Sequence, residues 1–148
     1  MQGAGKALAG IAATSSTFVS RGDDSGTHKK ENTLWQQANI RPAGGWYRQV
    51  GQGMGKTLQI AGELAGYTLV DRGTWLAYRA NSPLQLLVSG GEELLNPYGI
   101  IAVSPQRFPD INFAAVQRLI DWFASPEAHA LIAGYKVDGE QLFYPVAE

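Results

Sequence analysis

The chain has 148 residues, a formal net charge of −1 at pH 7, no cysteine and two histidines. This composition excludes disulfides, thiolate metal sites and a His-rich metal centre, and it provides no overall positive field that would attract nucleic acid. No apolar run reaches the ~20 residues of a membrane span and no signal peptide is visible, which predicts a cytoplasmic protein if the chain is complete.

The first part of the chain alternates between helix and strand patterns. Residues 5–14 are rich in alanine, with apolar residues at helical spacing, and predict a helix. Residues 17–20 favour a short strand because they are rich in β-formers. A second helix is predicted over residues 29–38, with Leu34 and Trp35 facing the interior.

The alternation continues to the end of the chain. A helix is predicted over residues 54–64, ended by Gly66, and two more close the chain, capped by Asn112 and by Ser125. Apolar segments typical of strands lie at residues 67–70, 84–88 and 98–103. Strands that alternate with helices predict an α/β fold, with a mostly parallel sheet flanked by helices. Ligands of such sheets bind outside the carboxyl ends of the strands.

One turn, residues 21–27, joins a predicted strand to a predicted helix and concentrates hydrogen-bond donors. Arg21 offers a rigid fork of N–H groups, Ser25 and Thr27 offer hydroxyls, and Gly26 lets the backbone approach a ligand closely. The free N–H groups at the helix start add a partial positive charge. The turn therefore predicts an oxyanion site that needs no metal, although the same composition is common in plain strand-to-helix connections.

Two carboxylates in this turn would repel a bound anion. We therefore expect Asp23 and Asp24 to point away from it, either capping the helix or pairing with Lys29 and Lys30. Either Asp24 or Ser25 is suited to cap the helix, because each has a short side-chain oxygen.

Other motif matches fail on their context. Residues 24–27 match the Asp-Ser-Gly-Thr signature of aspartic proteases and residues 21–23 match a cell-adhesion tripeptide, but both are short, and polar residues stand where the protease strand is apolar. Residues 51–57 imitate a nucleotide-binding P-loop, yet Val50 stands where its first glycine is needed. A glycine-rich helix start whose N–H groups, at Met54, Gly55 and Lys56, face an anion fits better.

Five segments belong together: residues 18–31 (FVSRGDDSGTHKKE), 51–55 (GQGMG), 67–74 (YTLVDRGT), 96–99 (NPYG) and 120–127 (IDWFASPE). In content and in order they resemble the periplasmic tungstate-binding proteins of ABC transporters. The resemblance implies two α/β lobes that close over one tetrahedral oxyanion, and a periplasmic location. It also implies that residues 1–148 form a single α/β unit, which corresponds to the second lobe with the C-terminal part, the first lobe being absent.

The resemblance also implies a ligand shell and a set of partners. The anion would be tungstate or molybdate, held by Arg21 and Thr27. Ser25 and Gly26 join this predicted ligand set through the composition of the turn. The backbone at Met54 or Gly55 would contribute, and so would Asp71 or Arg72 at a second turn, residues 71–74. A site with an added arginine favours tungstate more than a site built from neutral donors alone does. The implied partners are an ABC permease and a second copy or second chain that supplies the missing lobe, with no nucleic acid and no cofactor.

No nucleophile–base pair stands out, so no enzymatic activity is expected. Two alternatives remain open on the same fold: a cytoplasmic anion-sensing regulatory domain, and a truncated remnant that binds nothing.

Overall fold

The structure, a computed structural model, describes residues 3–146 of the chain. It divides into two units, the first ending at Leu95 and the second beginning at Asn96, and each is described by itself. Both helices and a parallel sheet are present, as the predicted α/β class requires.

Unit 1 alternates helices with short strands. Its elements are α1 (Ala4–Ala13), β1 (Phe18–Ser20), α2 (Gly26–Gln37), β2 (Tyr47–Gln49), α3 (Met54–Glu63) and α4 (Arg72–Tyr78). Two 3-10 turns follow, Arg79–Asn81 and Glu92–Leu94.

Strand β1 lies between two parallel neighbours. On one side β2 pairs with it in the register Phe18↔Tyr47 to Ser20↔Gln49. On the other side Tyr67 bridges to Phe18 in parallel orientation, and the Val19 N–H donates to the Tyr67 carbonyl at 2.7 Å. The three segments therefore run in the same direction, and their carboxyl ends lie at one edge.

The core of unit 1 lies between α1, α2 and β1. Its buried cluster consists of Ala4, Leu8, Ile11, Phe18, Leu34 and Trp35. The three α1 residues recur at spacings of four and three, which places them on one helical face. The rings of Phe18 and Trp35 meet edge to face with centroids 5.2 Å apart. The predicted inward positions of Leu34 and Trp35 are confirmed, since 3% and 1% of these residues is exposed.

Helix α2 begins at Gly26, three residues before the predicted start at Lys29. Ser25 is its N-cap: the side-chain oxygen accepts a hydrogen bond from the His28 N–H at 3.3 Å. Of the two caps that the sequence allowed, the structure uses Ser25, because Asp24 is held in a left-handed conformation at φ 59°.

Unit 2 contains two helices and one hairpin. Its elements are α5 (Phe113–Phe123), α6 (Pro126–Gly134), β3 (Lys136–Val137) and β4 (Glu140–Gln141), and the two strands are antiparallel. The predicted caps are confirmed: Asn112 accepts from the Ala115 N–H and Ser125 from the Ala128 N–H.

The strand predictions at residues 84–88 and 98–103 are wrong, and the one at residues 67–70 holds only for the single bridge at Tyr67. A strand is defined by its ladder, and within residues 3–146 no segment pairs with residues 84–88 or 98–103. The apolar residues that suggested buried strands are largely exposed, Leu87 by 68% and Ile101 by 88%. In addition, β2 was missed because Tyr-Arg-Gln lacks the apolar pattern of a buried strand.

Among the helices of residues 3–146, none combines the length and the apolar character needed to cross a lipid bilayer.

Candidate functional site

Three turns follow the carboxyl ends of the three parallel segments in unit 1. The turn after β1 begins at Arg21, the turn after β2 begins at Val50, and residues 67–70 lead into Asp71. The turn at residues 21–27 and the turn at residues 71–74 therefore both leave the same edge of the sheet, where α/β proteins bind their ligands.

The first two turns are joined by main-chain hydrogen bonds. The Val50 N–H donates to the Ser20 carbonyl at 3.0 Å, and the Gly51 N–H donates to the Arg21 carbonyl at 2.7 Å. Gly51 can bend there because its φ is +61°, a conformation that suits glycine. Parallel pairing thus continues two residues beyond the strands and holds the start of α3 near the start of α2.

Both helix starts present N–H groups. In the described part of the chain, no acceptor is found for the N–H of Gly26 or Thr27 in α2, or of Met54 or Gly55 in α3. Unsatisfied donors at a helix start carry a partial positive charge and attract anions. Two such ends follow neighbouring strands here, and Arg21 lies between β1 and α2.

Arg21 is mostly buried, with 19% of its side chain exposed, and it is paired. Its Nε and Nη2 atoms donate to Asp23 Oδ2 at 3.1 and 2.5 Å. The expectation that Asp23 caps the helix or pairs with a lysine is therefore wrong, because the turn brings its carboxylate back onto the Arg21 fork. Asp24 does behave as expected, since its carboxylate faces Lys29 Nζ at 3.4 Å.

The two predicted contacts at the start of α3 differ in kind. Met54 is 7% exposed and its side chain belongs to the interior, so only its N–H is available to a ligand. At Gly55 the missing side chain makes room for another residue: a Cβ there would come within 2.7 Å of the Tyr78 hydroxyl in α4. The similarity of residues 51–57 (GQGMGKT) to a P-loop also has a structural explanation, because the buried Thr57 hydroxyl donates to the Gln52 and Gly53 carbonyls and fixes the turn.

Asp71 has a structural role that spacing alone did not reveal. It is the N-cap of α4, accepting from the Thr74 N–H at 2.8 Å and from the Thr74 hydroxyl at 2.7 Å. Both carboxylate oxygens are engaged, and a carboxylate has no proton to offer an anion at neutral pH. Arg72 begins α4 and is exposed.

A buried polar cluster behind the turn was missed by sequence reasoning. Glu31 is 2% exposed, and its Oε1 accepts from Trp35 Nε1 at 3.1 Å and from the Tyr47 hydroxyl at 2.7 Å. Burial raises the pKa of Tyr47 above its ordinary value, and the Glu31 carboxylate acts in the same direction. The available signal was the spacing of four between Glu31 and Trp35, which places both on one face of α2.

The matching family model and two similar relatives all belong to solute-binding or anion-binding proteins. Residues 4–127 match the family model of a PBP superfamily domain. A Haloferax volcanii protein, provisionally named an ABC transporter anion-binding protein, is 45% identical over 152 residues, which cover 99% of this chain and 44% of that protein. The tungstate-binding protein TupA of Peptoclostridium acidaminophilum is 42% identical over 132 residues, covering 88% and 46%.

A solved structure extends the likeness to three dimensions. The tungstate-binding protein TupA of Desulfovibrio alaskensis G20 is 41% identical to this chain and superposes with a TM-score of 0.80, covering 97% of this chain and 60% of that one. The chain spans about half the length of the curated relatives it matches.

Proposed function

Because the chain belongs to the PBP superfamily, we propose that it binds a tetrahedral oxyanion, tungstate above all, as the solute-binding component of an ABC transporter. The observation that carries this proposal is the position of Arg21. It directly follows the central parallel strand β1, near the starts of α2 and α3. Relatives named for tungstate binding cover most of the chain. Their role is solute binding, which supports a protein that is not an enzyme.

The chemistry of a dianion explains why several donors are needed at one place. Removing a doubly charged ion from water is unfavourable unless charge-assisted hydrogen bonds replace its hydration. In our proposal the Arg21 guanidinium, the hydroxyls of Ser25 and Thr27 and the N–H groups of Gly26 and Thr27 supply them from the first turn. The N–H groups of Met54 and Gly55 approach from the second.

The third turn contributes differently. Since both oxygens of Asp71 hold Thr74, we propose that Asp71 positions the turn and that Arg72 supplies a second cation to the shell. Molybdate has the charge and shape of tungstate, so we propose that it binds to the same residues. For this role as a solute-binding component, the proposed cellular location is the periplasm.

We also propose that further protein completes this shell, from a second copy or from another chain, before the permease is engaged. The longer relatives support this, because the chain covers only 44% and 46% of their length. Separately, unit 2 has an apolar groove lined by Leu131, Ile132, Tyr135, Leu142 and Phe143, a surface of the kind that contacts other protein. Sedimentation with and without tungstate tests this proposal, because a strict monomer that still binds tungstate tightly contradicts it.

The experiment for the function is thermal unfolding with millimolar tungstate, molybdate, sulfate or phosphate. A ligand at ~100 times its dissociation constant adds about 2.7 kcal/mol of stability, which shifts the midpoint by several degrees. A shift with tungstate or molybdate alone is the expected result. The absence of a shift with all four anions contradicts binding by this chain.

Arg21→Ala locates the site. We expect it to weaken tungstate binding by ~1.5–3 kcal/mol, as measured by titration calorimetry, because a charge-assisted hydrogen bond is lost. Arg41→Ala is the matched control: it removes the same charge at an exposed position beyond the opposite end of α2. Equal tungstate affinities in the two variants would mean that Arg21 does not contact the bound anion.

A further inference from the structure

One of the donors that we assign to the oxyanion, the Arg21 guanidinium, already holds a carboxylate. Asp23 Oδ2 accepts from both Nε and Nη2 of Arg21, and Asp23 Oδ1 accepts from the Ser25 N–H at 3.2 Å. One aspartate thus occupies the arginine fork and a main-chain donor of the turn at the same time. An oxygen of the ligand cannot take these donors while the carboxylate keeps them.

The backbone of the turn fixes this arrangement. Gly22 has φ +62° and Asp24 has φ +59°, and these two left-handed residues turn the chain back so that Asp23 faces Arg21. A side chain at Gly22 has no room, because a Cβ would lie 2.7 Å from the Gln49 Cβ on β2. Asp23 therefore reaches Arg21 through the shape of the loop, not by chance rotation of an exposed side chain.

The carboxylate is a permanent anion at neutral pH. The Ser25 hydroxyl and N–H, together with Arg21, lower the pKa of Asp23 to about 2. Two neighbouring side chains have other partners: Asp24 faces Lys29, and His28 Nδ1 accepts from the Asp24 N–H at 3.0 Å.

We propose that Asp23 is an internal counter-anion, which an incoming oxyanion must displace from Arg21, and which thereby sets the affinity threshold of the site. The inference rests on the proposed oxyanion binding. Displacement reduces the apparent affinity of every ligand by the same factor, the fraction of molecules in which the fork is free. Strongly held dianions still saturate the site, whereas weak anions such as chloride or free carboxylates do not.

The chain offers a matched control for this role. Asp23→Asn and Asp24→Asn remove the same charge from adjacent residues of one loop, but only Asp23 contacts Arg21. Asparagine keeps an oxygen that can accept from the Ser25 N–H, and it tolerates the left-handed conformation of residue 24, so both variants should fold.

Titration calorimetry of the wild-type chain and both variants with tungstate and with molybdate tests the inference. For Asp23→Asn we expect both affinities to rise by the same factor, roughly two- to fivefold, which is what a partly solvent-exposed ion pair can withhold. For Asp24→Asn we expect a change of less than about twofold, since that charge acts only through screened solvent. An unchanged or lower affinity in Asp23→Asn overturns the inference. A lower affinity would mean that Asp23 orients Arg21 for the ligand and does not compete with it.

Failure of the two proposals can be told apart. Tungstate binding by the wild type with no gain in Asp23→Asn removes the threshold role and leaves the function intact. Absence of binding by all three proteins contradicts oxyanion binding by this chain and the inference together, whereas binding by Asp23→Asn alone supports the inference. As a second readout, the ¹³C carboxyl NMR signal of Asp23 should move when tungstate saturates the wild type, and that of Asp24 should not; a stationary Asp23 signal means that it is not displaced.

Discussion

The two units of the chain differ in how many of their apolar residues are buried. Among the described residues, every apolar residue that is fully buried lies in unit 1, with the exception of Ala128 in α6. Unit 2 exposes large side chains instead, including Tyr98 by 78%, Leu131 by 60% and Tyr144 by 64%. Every turn that we assign to the oxyanion belongs to unit 1.

The difference shows what an anion site needs from its surroundings. Donors bind an ion strongly only if they are already held in place, since each group that must be ordered on binding reduces the affinity. Unit 1 holds its turns through the parallel ladder, the buried Glu31 cluster and the Thr57 anchor. Unit 2 has a larger exposed apolar surface, which is typical of a region that contacts other protein.

Replacing one leucine by alanine in each unit tests this comparison, and it is expected to give the largest change in the free energy of unfolding. Leu34→Ala removes a 3%-exposed side chain from the core of unit 1 and should lower the free energy of unfolding by about 2–5 kcal/mol. Leu131→Ala makes the same chemical change on the surface of unit 2 and should alter it by less than about 0.5 kcal/mol. Urea unfolding followed by circular dichroism measures both. Similar losses would mean that unit 2 has a core of comparable importance.

The tyrosines allow a finer test. Tyr47→Phe leaves the buried Glu31 carboxylate with one donor fewer, so we expect a loss of about 1.5–3 kcal/mol in urea unfolding. The control is Tyr144→Phe in unit 2, where a 64%-exposed residue should give a change near zero. A neutral Tyr47→Phe would show that the Trp35 indole alone satisfies the carboxylate.

Local features of unit 1 and unit 2 could be predicted from sequence because short-range physics determines them. The caps at Ser25, Asn112 and Ser125 depend on one side-chain oxygen and the next three residues. The inward faces of the helices follow from spacing alone, as Leu34 and Trp35 show.

The predictions that failed depend on partners distant in sequence or on unusual backbone conformations. Residues 98–103 have the composition of a strand, but a strand also needs a neighbour, and the sequence does not show whether one is present. The contact between Arg21 and Asp23 depends on two left-handed residues, one of which is an aspartate. Glu31 reads as a solvated helix residue, and only the approach of Tyr47 from β2 makes it a buried acceptor.

The smallest expected difference between the units appears at acid pH. Because the folded pKa of Asp23 is about 2, against an ordinary value of 3.8, the unfolded chain binds more protons in this window. The stability that Asp23 contributes to unit 1 is therefore present above about pH 4 and is lost as the pH falls towards 2. Trp122 is the one tryptophan beyond residue 95, so a Trp122→Phe background makes tryptophan fluorescence report on unit 1. In that background, the urea midpoint should fall less steeply between pH 4 and 2 when Asp23→Asn is added. Equal slopes would mean that the Arg21–Asp23 pair is also present in the unfolded chain, or that it is absent from the folded chain. If it is absent from the folded chain, no carboxylate competes with the ligand for Arg21.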